Sequence, residues 1–448
     1  MNTLKQFPYE RVLVLGLAKS GEAAARILFE NGKKVRVNDM KKEEENQAAK
    51  ELKALGMEVI TGGHPLSVLD DVEIIVKNPG IPYDNVIVKE ALSRNIPIIT
   101  EVELVGLLSR GSFVGITGSN GKTTTTTLIY EMLKASGEKT KIAGNIGTVA
   151  CEVAKDVQED EKLVIELSSF QLLGTQTFRP HVSVFLNLFE AHLDYHKTLD
   201  HYAYAKAKIF ANQTEEDYVV YNADDGLVTS LVQEANAQTV PFSVNEKVNN
   251  GAWVDNKYVY FQDQKIIELK EIVLVGKHNL ENVLAAIAAS RLMGATIDGI
   301  QKVLTTFRGV PHRLQFVREL NGRLFYNDSK ATNILATSKA LSAFNQRVIL
   351  LAGGLDRGNS FESLTPYLTN VKAMVLFGQT AEKIKESGEV VGIDQIEIVD
   401  NVEQAVHKAY QISNEEDIIL LSPACASWDQ YRSFEERGDM FVNTVHKL

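Results

Sequence analysis

The sequence predicts an α/β protein of three domains. Short apolar runs alternate with stretches of helical period. The loops closing those runs carry glycines or polar residues, as in parallel sheets wound with helices. The length of 448 residues suits about three domains. The expected divisions are 1–101, 102–309 and 310–448.

In the first segment, Arg11 to Leu15 reads as a strand, followed by the loop Gly16-Leu17-Ala18-Lys19-Ser20-Gly21 and a helix ending at Asn31-Gly32. Lys34 to Val37 is a second strand closing on Asn38-Asp39, and Glu73 to Val76 another closing on Asn78-Pro79-Gly80. Ligand-facing loops are expected after such strand ends. The loop GLAKSG is not GxGxxG, so a plain helix–strand packing turn explains it equally well.

The second segment opens with Phe113 to Ile116, a β-type run that enters Thr117-Gly118-Ser119-Asn120-Gly121-Lys122-Thr123-Thr124 and then a helix, Thr125 to Ala135. Glycines let backbone N–H groups wrap a polyphosphate, and the helix N-terminus adds partial positive charge. Lys122 would reach the β- and γ-phosphates, and Thr123 a Mg²⁺. The loop reads TGxxGKTT, with Ile116 where the strict pattern has glycine; the other reading is a glycine turn before a threonine run. The strand–loop–helix setting points to ATP. Leu163 to Leu167 and Val182 to Leu186 read as buried strands. Tyr218 to Ile272 is expected to form an antiparallel patch beside the main sheet.

The third segment begins near Val310-Pro311. Leu324 to Asn327, Arg347 to Leu351, Ala373 to Phe377 and Ile418 to Leu421 read as strands of a smaller doubly wound domain.

A net charge of −11 argues against nucleic acid as the main partner. It leaves nucleotides open, since local dipoles and a few cations hold those. The two cysteines, Cys151 and Cys425, form no CxxC pair, so neither zinc nor a disulfide framework is indicated. The first ten residues lack the apolar core of a signal peptide, and no apolar run suits a membrane span. A cytoplasmic protein is expected.

Several constellations carry chemistry. Glu166 ends an apolar strand downstream of the phosphate loop, where a Mg²⁺ ligand is expected; otherwise it is a solvent-facing strand end. In Asn187-Leu188-Phe189-Glu190-Ala191-His192-Leu193-Asp194-Tyr195-His196, two histidines and two acids share one loop. One imidazole can join a magnesium shell. Tyr202, Ala205, Lys206 and Ile209 fall on one helical stripe, which sets Lys206 on or beside the packed face. Burial would favour its neutral amine, which can add CO₂ to give an anionic carbamate. From spacing alone, a snorkelling lysine explains it better. Asn279 and Asn282 share a helix face, where amides can read a nucleobase edge; helix capping by His278 or Asn279 is the alternative. The loops after Asn327, Leu351 and Leu421 would form one ligand-binding rim. Arg357 in this rim suits a carboxylate.

Together these residues resemble the ATP-dependent Mur ligases, over nearly the whole chain and all three domains. TGSNGKTT, the Glu166 strand, His192, Lys206 and the HNxxN helix are similar to the shared ATP and metal machinery, a set that also fits folylpolyglutamate synthases. DSKATN (Asp328 to Asn333) and SPACASWDQY (Ser422 to Tyr431) resemble the D-glutamate-adding branch. The resemblance implies Rossmann-like N- and C-terminal domains around a P-loop ATPase-type centre. It implies that ATP lies on the 118–124 loop, Asn279, Asn282, Arg313 and Asp328. Two Mg²⁺ ions would be held by Thr123, Glu166, His192 and a carbamylated Lys206. Lys19, Ser20, Asp39, Met40, Lys41, Gly80, Asn145, Gln171 and His192 would contact the substrate UDP-N-acetylmuramoyl-L-alanine, and Thr332, Arg357, Ser427 and Phe434 would contact D-glutamate. The implied reaction is amide formation through an acyl phosphate, with Lys122, Lys206 and His192 in the chemistry, by a monomer without nucleic-acid or membrane partners. The alternatives are a folylpolyglutamate synthase-like ligase, another amino-acid-adding member, or an ATP-gated binding protein without ligation.

Overall fold

A computed structural model describes residues 2–448 and contains three sheets. The first holds β1 (Arg11–Leu15), β2 (Lys34–Asp39), β3 (Glu58–Thr61), β4 (Ile74–Lys77) and β5 (Ile98–Ile99). All are parallel, in the order β3-β2-β1-β4-β5. Successive side chains of a strand face opposite ways. Val12 and Val14 therefore pack into one core layer, and Leu13 and Leu15 into the other. The strand order reverses at β1 and β4, where a crevice opens at the strand C-termini.

The second sheet holds β6 (Ser112–Thr117), β7 (Thr140–Gly144), β8 (Lys162–Glu166), β9 (Val182–Phe185), β10 (Tyr218–Asn222), β11 (Gln238–Ser243), β12 (Ala252–Val254), β13 (Tyr258–Phe261) and β14 (Gln264–Glu268). Its order is β14-β13-β12-β11-β10-β9-β6-β8-β7. Here the expected antiparallel patch needs correction. β10 and β11 run parallel to β9, and only β12–β14 are antiparallel. These three strands extend the main sheet through β11 and do not lie beside it. The pattern misled because the crossover helix between β10 and β11, Gly226–Val232, is short; Asp225 caps it by accepting from Leu227 and Val228 N–H.

The third sheet holds β15 (Gln315–Leu320), β16 (Arg323–Asn327), β17 (Val348–Gly353), β18 (Val371–Phe377), β19 (Gln395–Ile398) and β20 (Ile418–Leu421), in the order β15-β16-β20-β17-β18-β19. β15 and β19 were not anticipated. Both are short or polar edge strands that lack the continuous apolar run of the buried strands. β15 pairs antiparallel with β16, and the other pairs are parallel. Consecutive residues of β17 again divide between two cores, with Leu350 and Ala352 in one and Ile349 and Leu351 in the other.

The chain forms two compact units. The larger comprises the chain up to Glu271 together with Glu281–Thr305, and includes the first two sheets. The smaller comprises Ile272–Leu280 and Thr306–Leu448. Within the larger unit, Asn2 Nδ2 donates to Val157 O at 2.7 Å, tying the first residues to the central sheet's flank. Among the described residues, no helix is long and apolar enough to cross a membrane.

Candidate functional site

The strongest site lies where β6 meets the helix Lys122–Ala135. Gly121 occupies the helix N-cap at φ 84°, and a Cβ there would meet Asn282 Oδ1 at 2.2 Å. Both facts demand glycine. Thr125 Oγ1 donates to the same Asn282 oxygen at 3.3 Å, so the amide is anchored against the loop. Ser119 N donates to Asn187 O at 3.0 Å, and Asn120 N to Asn187 Oδ1 at 2.9 Å. Phe189 N donates to Ser119 Oγ at 3.1 Å. The loop following β9 thus braces the loop following β6. Lys122 Nζ folds back to donate to Gly118 O at 2.8 Å and Ser119 O at 3.0 Å. Its charge sits over the cradle where an anion would lie.

Lys206 comes to the same loop from the helix Leu199–Ala207, donating to Gly118 O at 2.8 Å. It is 1% exposed and lies 4.6 Å from the centre of the Tyr202 ring. The inward stripe Tyr202–Ala205–Lys206–Ile209 is buried throughout, which excludes the snorkelling reading. Burial first, then the Lys122 charge, pushes the Lys206 amine far down; the Glu166 charge opposes them.

Glu166 ends β8 and is buried, not solvent-facing. Asn145 Nδ2 donates to its Oε1 at 2.9 Å, while Oε2 is buried without a hydrogen-bond partner. A buried carboxylate oxygen left open suits a cation. Among the described residues no three His, Cys, Asp or Glu converge. Magnesium here would therefore draw most of its shell from donors outside that class, such as hydroxyl, carbamate, phosphate and water oxygens. His192 adopts a left-handed backbone, φ 56° and ψ 33°, at the head of the short helix Leu193–His196. Burial, then the charges of Lys122 and Lys206, lowers its imidazole below the usual histidine value.

The crevice of the first sheet gathers a second group. Asp39 accepts from Leu17 N at 2.6 Å and Lys41 N at 2.8 Å, which fixes the turn after β2. Asn78 Nδ2 donates to Ser20 Oγ at 3.0 Å, joining the loops after β1 and β4. Gly21 is a packing glycine, because a Cβ would lie 1.9 Å from Gly16 O. Lys19, Met40 and Gly80 are exposed on this rim. Gln171 is more constrained than expected. Its Oε1 accepts from Ser168 N and Oγ at 3.0 and 2.9 Å, and its Nε2 donates to Glu101 at 3.2 Å. One amide hydrogen remains for a ligand.

The third group lies in the smaller unit, at the C-terminal ends of the adjacent strands β16, β20 and β17. Ser422 Oγ donates to Asp328 Oδ2 at 2.9 Å, and Leu314 N to Asp328 Oδ1 at 3.1 Å. Burial pushes the Asp328 carboxyl up to about 7 against these bonds and the nearby Arg313 charge. Ser427 is buried, with its Oγ unpartnered. Arg357 is exposed, 5.1 Å from the Trp428 ring, and Thr332 and Phe434 are partly buried. The sequence reading missed Arg437. Fully buried, it donates to Ser329 O at 2.9 Å, Cys425 O at 3.0 Å and Gly353 O at 3.4 Å, so it stitches all three rim loops. Burial lowers its guanidinium to about 10. The only sequence signal was an arginine at a core position of the helix Phe434–Lys447. Asn279 also belongs to this unit; its Nδ2 donates to Val275 O at 2.8 Å. The helix begins at Lys277, so neither His278 nor Asn279 caps it.

Family models match along the chain: the Mur ligase MurD-like N-terminal domain over residues 10–100, the Mur ligase middle domain over 116–290, and the Mur ligase glutamate ligase domain over 312–425. The chain is 59% identical over 450 residues to the UDP-N-acetylmuramoylalanine–D-glutamate ligase of Geobacillus kaustophilus, covering 100% of both. It is 57% identical over 441 residues to the enzyme of that name from Bacillus subtilis, covering 98% of each. Its fold matches that of UDP-N-acetylmuramate-alanine ligase MurC from Thermotoga maritima, with a TM-score of 0.58 at 19% identity over 98% of this chain and 99% of that one. With its full-length identity to these ligases and its three domain matches in one chain, this protein belongs to the Mur ligase family.

Proposed function

We propose that this chain is an ATP-dependent ligase of peptidoglycan-precursor biosynthesis, joining D-glutamate to UDP-N-acetylmuramoyl-L-alanine. The observation that carries the reading is the identity of 59% and 57%, along essentially the full length, to ligases that bear this name. The alanyl carboxylate attacks the γ-phosphorus of ATP. The bond to the β–γ bridging oxygen breaks, leaving ADP and an acyl phosphate. The D-glutamate amine then attacks the acyl carbon, and the C–O bond to phosphate breaks.

The amides of the 118–124 loop and Lys122 cradle the phosphates and stabilise charge on the transferring group. Asn279, Asn282, Arg313 and Asp328 take the nucleoside. Glu166, with its open buried oxygen, together with Thr123, His192 and Lys206 as a carbamate, would hold Mg²⁺, which would supply charge neutralisation for phosphoryl transfer. The burial of Lys206 supports the carbamate, since CO₂ adds to the neutral amine. When it is not bound to the metal, His192, kept neutral by burial and by the Lys122 and Lys206 charges, is the candidate base for the incoming amine. Lys19, Ser20, Asp39–Lys41, Gly80, Asn145 and Gln171 line the UDP-sugar path, and Thr332, Arg357, Ser427 and Phe434 hold D-glutamate. The reading keeps the chain as a monomer working in the cytoplasm, where ATP is available. A folylpolyglutamate synthase-like activity is not favoured.

Phosphate release with ATP and the UDP-sugar tests the reading, comparing D-glutamate, L-glutamate, L-lysine and meso-diaminopimelate. Release should depend on D-glutamate. Equal use of L-lysine or diaminopimelate would overturn it.

A further inference from the structure

The Asn78–Ile81 turn, which includes Gly80, is held from beneath by a buried cation that, among the described residues, no carboxylate neutralises within ion-pair distance. Lys77 ends β4 and is 1% exposed. Its Nζ donates to Asn78 O and Pro79 O, both at 3.2 Å, and to Ile81 O at 2.6 Å. The Tyr195 hydroxyl also lies 3.2 Å from Nζ, so four acceptors share its three N–H groups. That hydroxyl lies 3.2 Å from Pro79 O and 3.1 Å from Ile81 O, and gives its own proton to this pair. The rings of Tyr83 and Tyr195 flank the ammonium at 5.0 and 5.8 Å.

Tyr195 sits three residues after His192, and one ring joins the two. Phe170 packs edge-on against Tyr195 at 4.6 Å and against His192 at 5.0 Å. The same short segment therefore carries both His192 and the hydroxyl that reaches back to the first sheet.

We propose that Lys77 and Tyr195 are positioning residues for the UDP-sugar. They form a latch that fixes the Asn78–Ile81 turn and ties it to the His192 segment. An ammonium has three donors and no acceptor, which suits it to gathering carbonyls that point inward. An apolar side chain would leave those carbonyls unsatisfied in a buried site. Burying the charge is expensive, as the fall of this amine to about 7 reflects. The turn's geometry is what that expense secures. The inference rests on the proposed contacts of Gly80 and His192 with the UDP-sugar.

The test uses the full chain as wild type, Lys77→Met, Tyr195→Phe and the double variant. Phosphate release yields KM for each substrate, and calorimetry yields UDP-N-acetylmuramoyl-L-alanine binding without ATP. Tyr195→Phe removes one hydrogen-bonding group and should raise KM and Kd for the UDP-sugar about five-fold; Lys77→Met removes a charged donor set and should raise them about thirty-fold. The double variant should be no worse than Lys77→Met, because both side chains serve one turn. The KM values for ATP and D-glutamate, and kcat, should stay within about two-fold. UDP-sugar constants unchanged in both variants would overturn the latch, as would all three KM values rising together. Tyr195→Phe keeps the ring packing and decides the matter alone if Lys77→Met fails to fold. A wild type that binds the UDP-sugar but releases no phosphate would count against the proposed function, and calorimetry would still test the latch.

Discussion

Lys206 shows how surroundings change the chemistry open to one residue. Its ammonium is buried at a loop carbonyl beside a second lysine, an environment that disfavours charge. Lys206→Ala should lose most activity, and acetate or formate should restore part of it by filling the vacated anionic position. Lys206→Arg should stay inactive, because guanidinium keeps its charge and cannot add CO₂. Full activity of the arginine variant would rule the carbamate out. Asp328 makes a separate prediction about stability. Its carboxyl is raised from 3.8 to about 7 in the fold, so the folded state holds the proton more tightly than the unfolded chain. The associated stability is fully present below the unfolded value and is lost as pH rises towards 7. The loss is on the order of 4 kcal/mol. Asp328→Asn should therefore gain in Tm relative to wild type between pH 5 and pH 8. A constant difference across that range would show that Asp328 ionises normally.

At the scale of elements, strand ends and the loops beyond them place the chemistry. β7 ends at Gly144, opposite Glu166 of β8. Gly144 has φ 110°, and a Cβ would stand 2.2 Å from Glu166 O. Gly144→Ala should therefore displace the end of β8 and the carboxylate with it. The expected result is a loss of roughly 1–3 kcal/mol in denaturant melts, with a larger fall in kcat than in ATP affinity. Wild-type kcat would show that β8 tolerates the shift. Arg437 has the corresponding role in the third sheet, where one helix residue holds three strand-end loops.

At the scale of the whole molecule, the division into two units separates the proposed substrate contacts. The UDP-sugar residues all lie in the larger unit, and Thr332, Arg357, Ser427 and Phe434 all lie in the smaller. A chain built this way should not unfold as one cooperative block. Scanning calorimetry should resolve two transitions, and UDP-N-acetylmuramoyl-L-alanine should raise only that of the larger unit. At a hundred times its Kd the ligand adds about 2.7 kcal/mol to the unit that binds it. A single transition with equal calorimetric and van't Hoff enthalpies would refute this picture.

What the sequence determined by itself was chemistry governed by local spacing. The strand–loop–helix that carries the proposed phosphate loop was legible because glycine, lysine and threonine stand at fixed intervals between a strand and a helix. The α/β class was legible because apolar runs of strand length alternate with helical ones. The inward side of Lys206 followed from helical period, although spacing alone favoured the wrong explanation for it. Only the tertiary structure decided what depends on long-range pairing. Strand order placed β20 between β16 and β17 and so made one rim from distant loops. β10 and β11 joined the central sheet because their partners are set by crossover packing, which local alternation does not encode. Lys77 with Tyr195, and Arg437 with its carbonyls, were invisible for the same reason. A buried cation is recognised by the backbone it gathers, and that backbone comes together only when the chain folds.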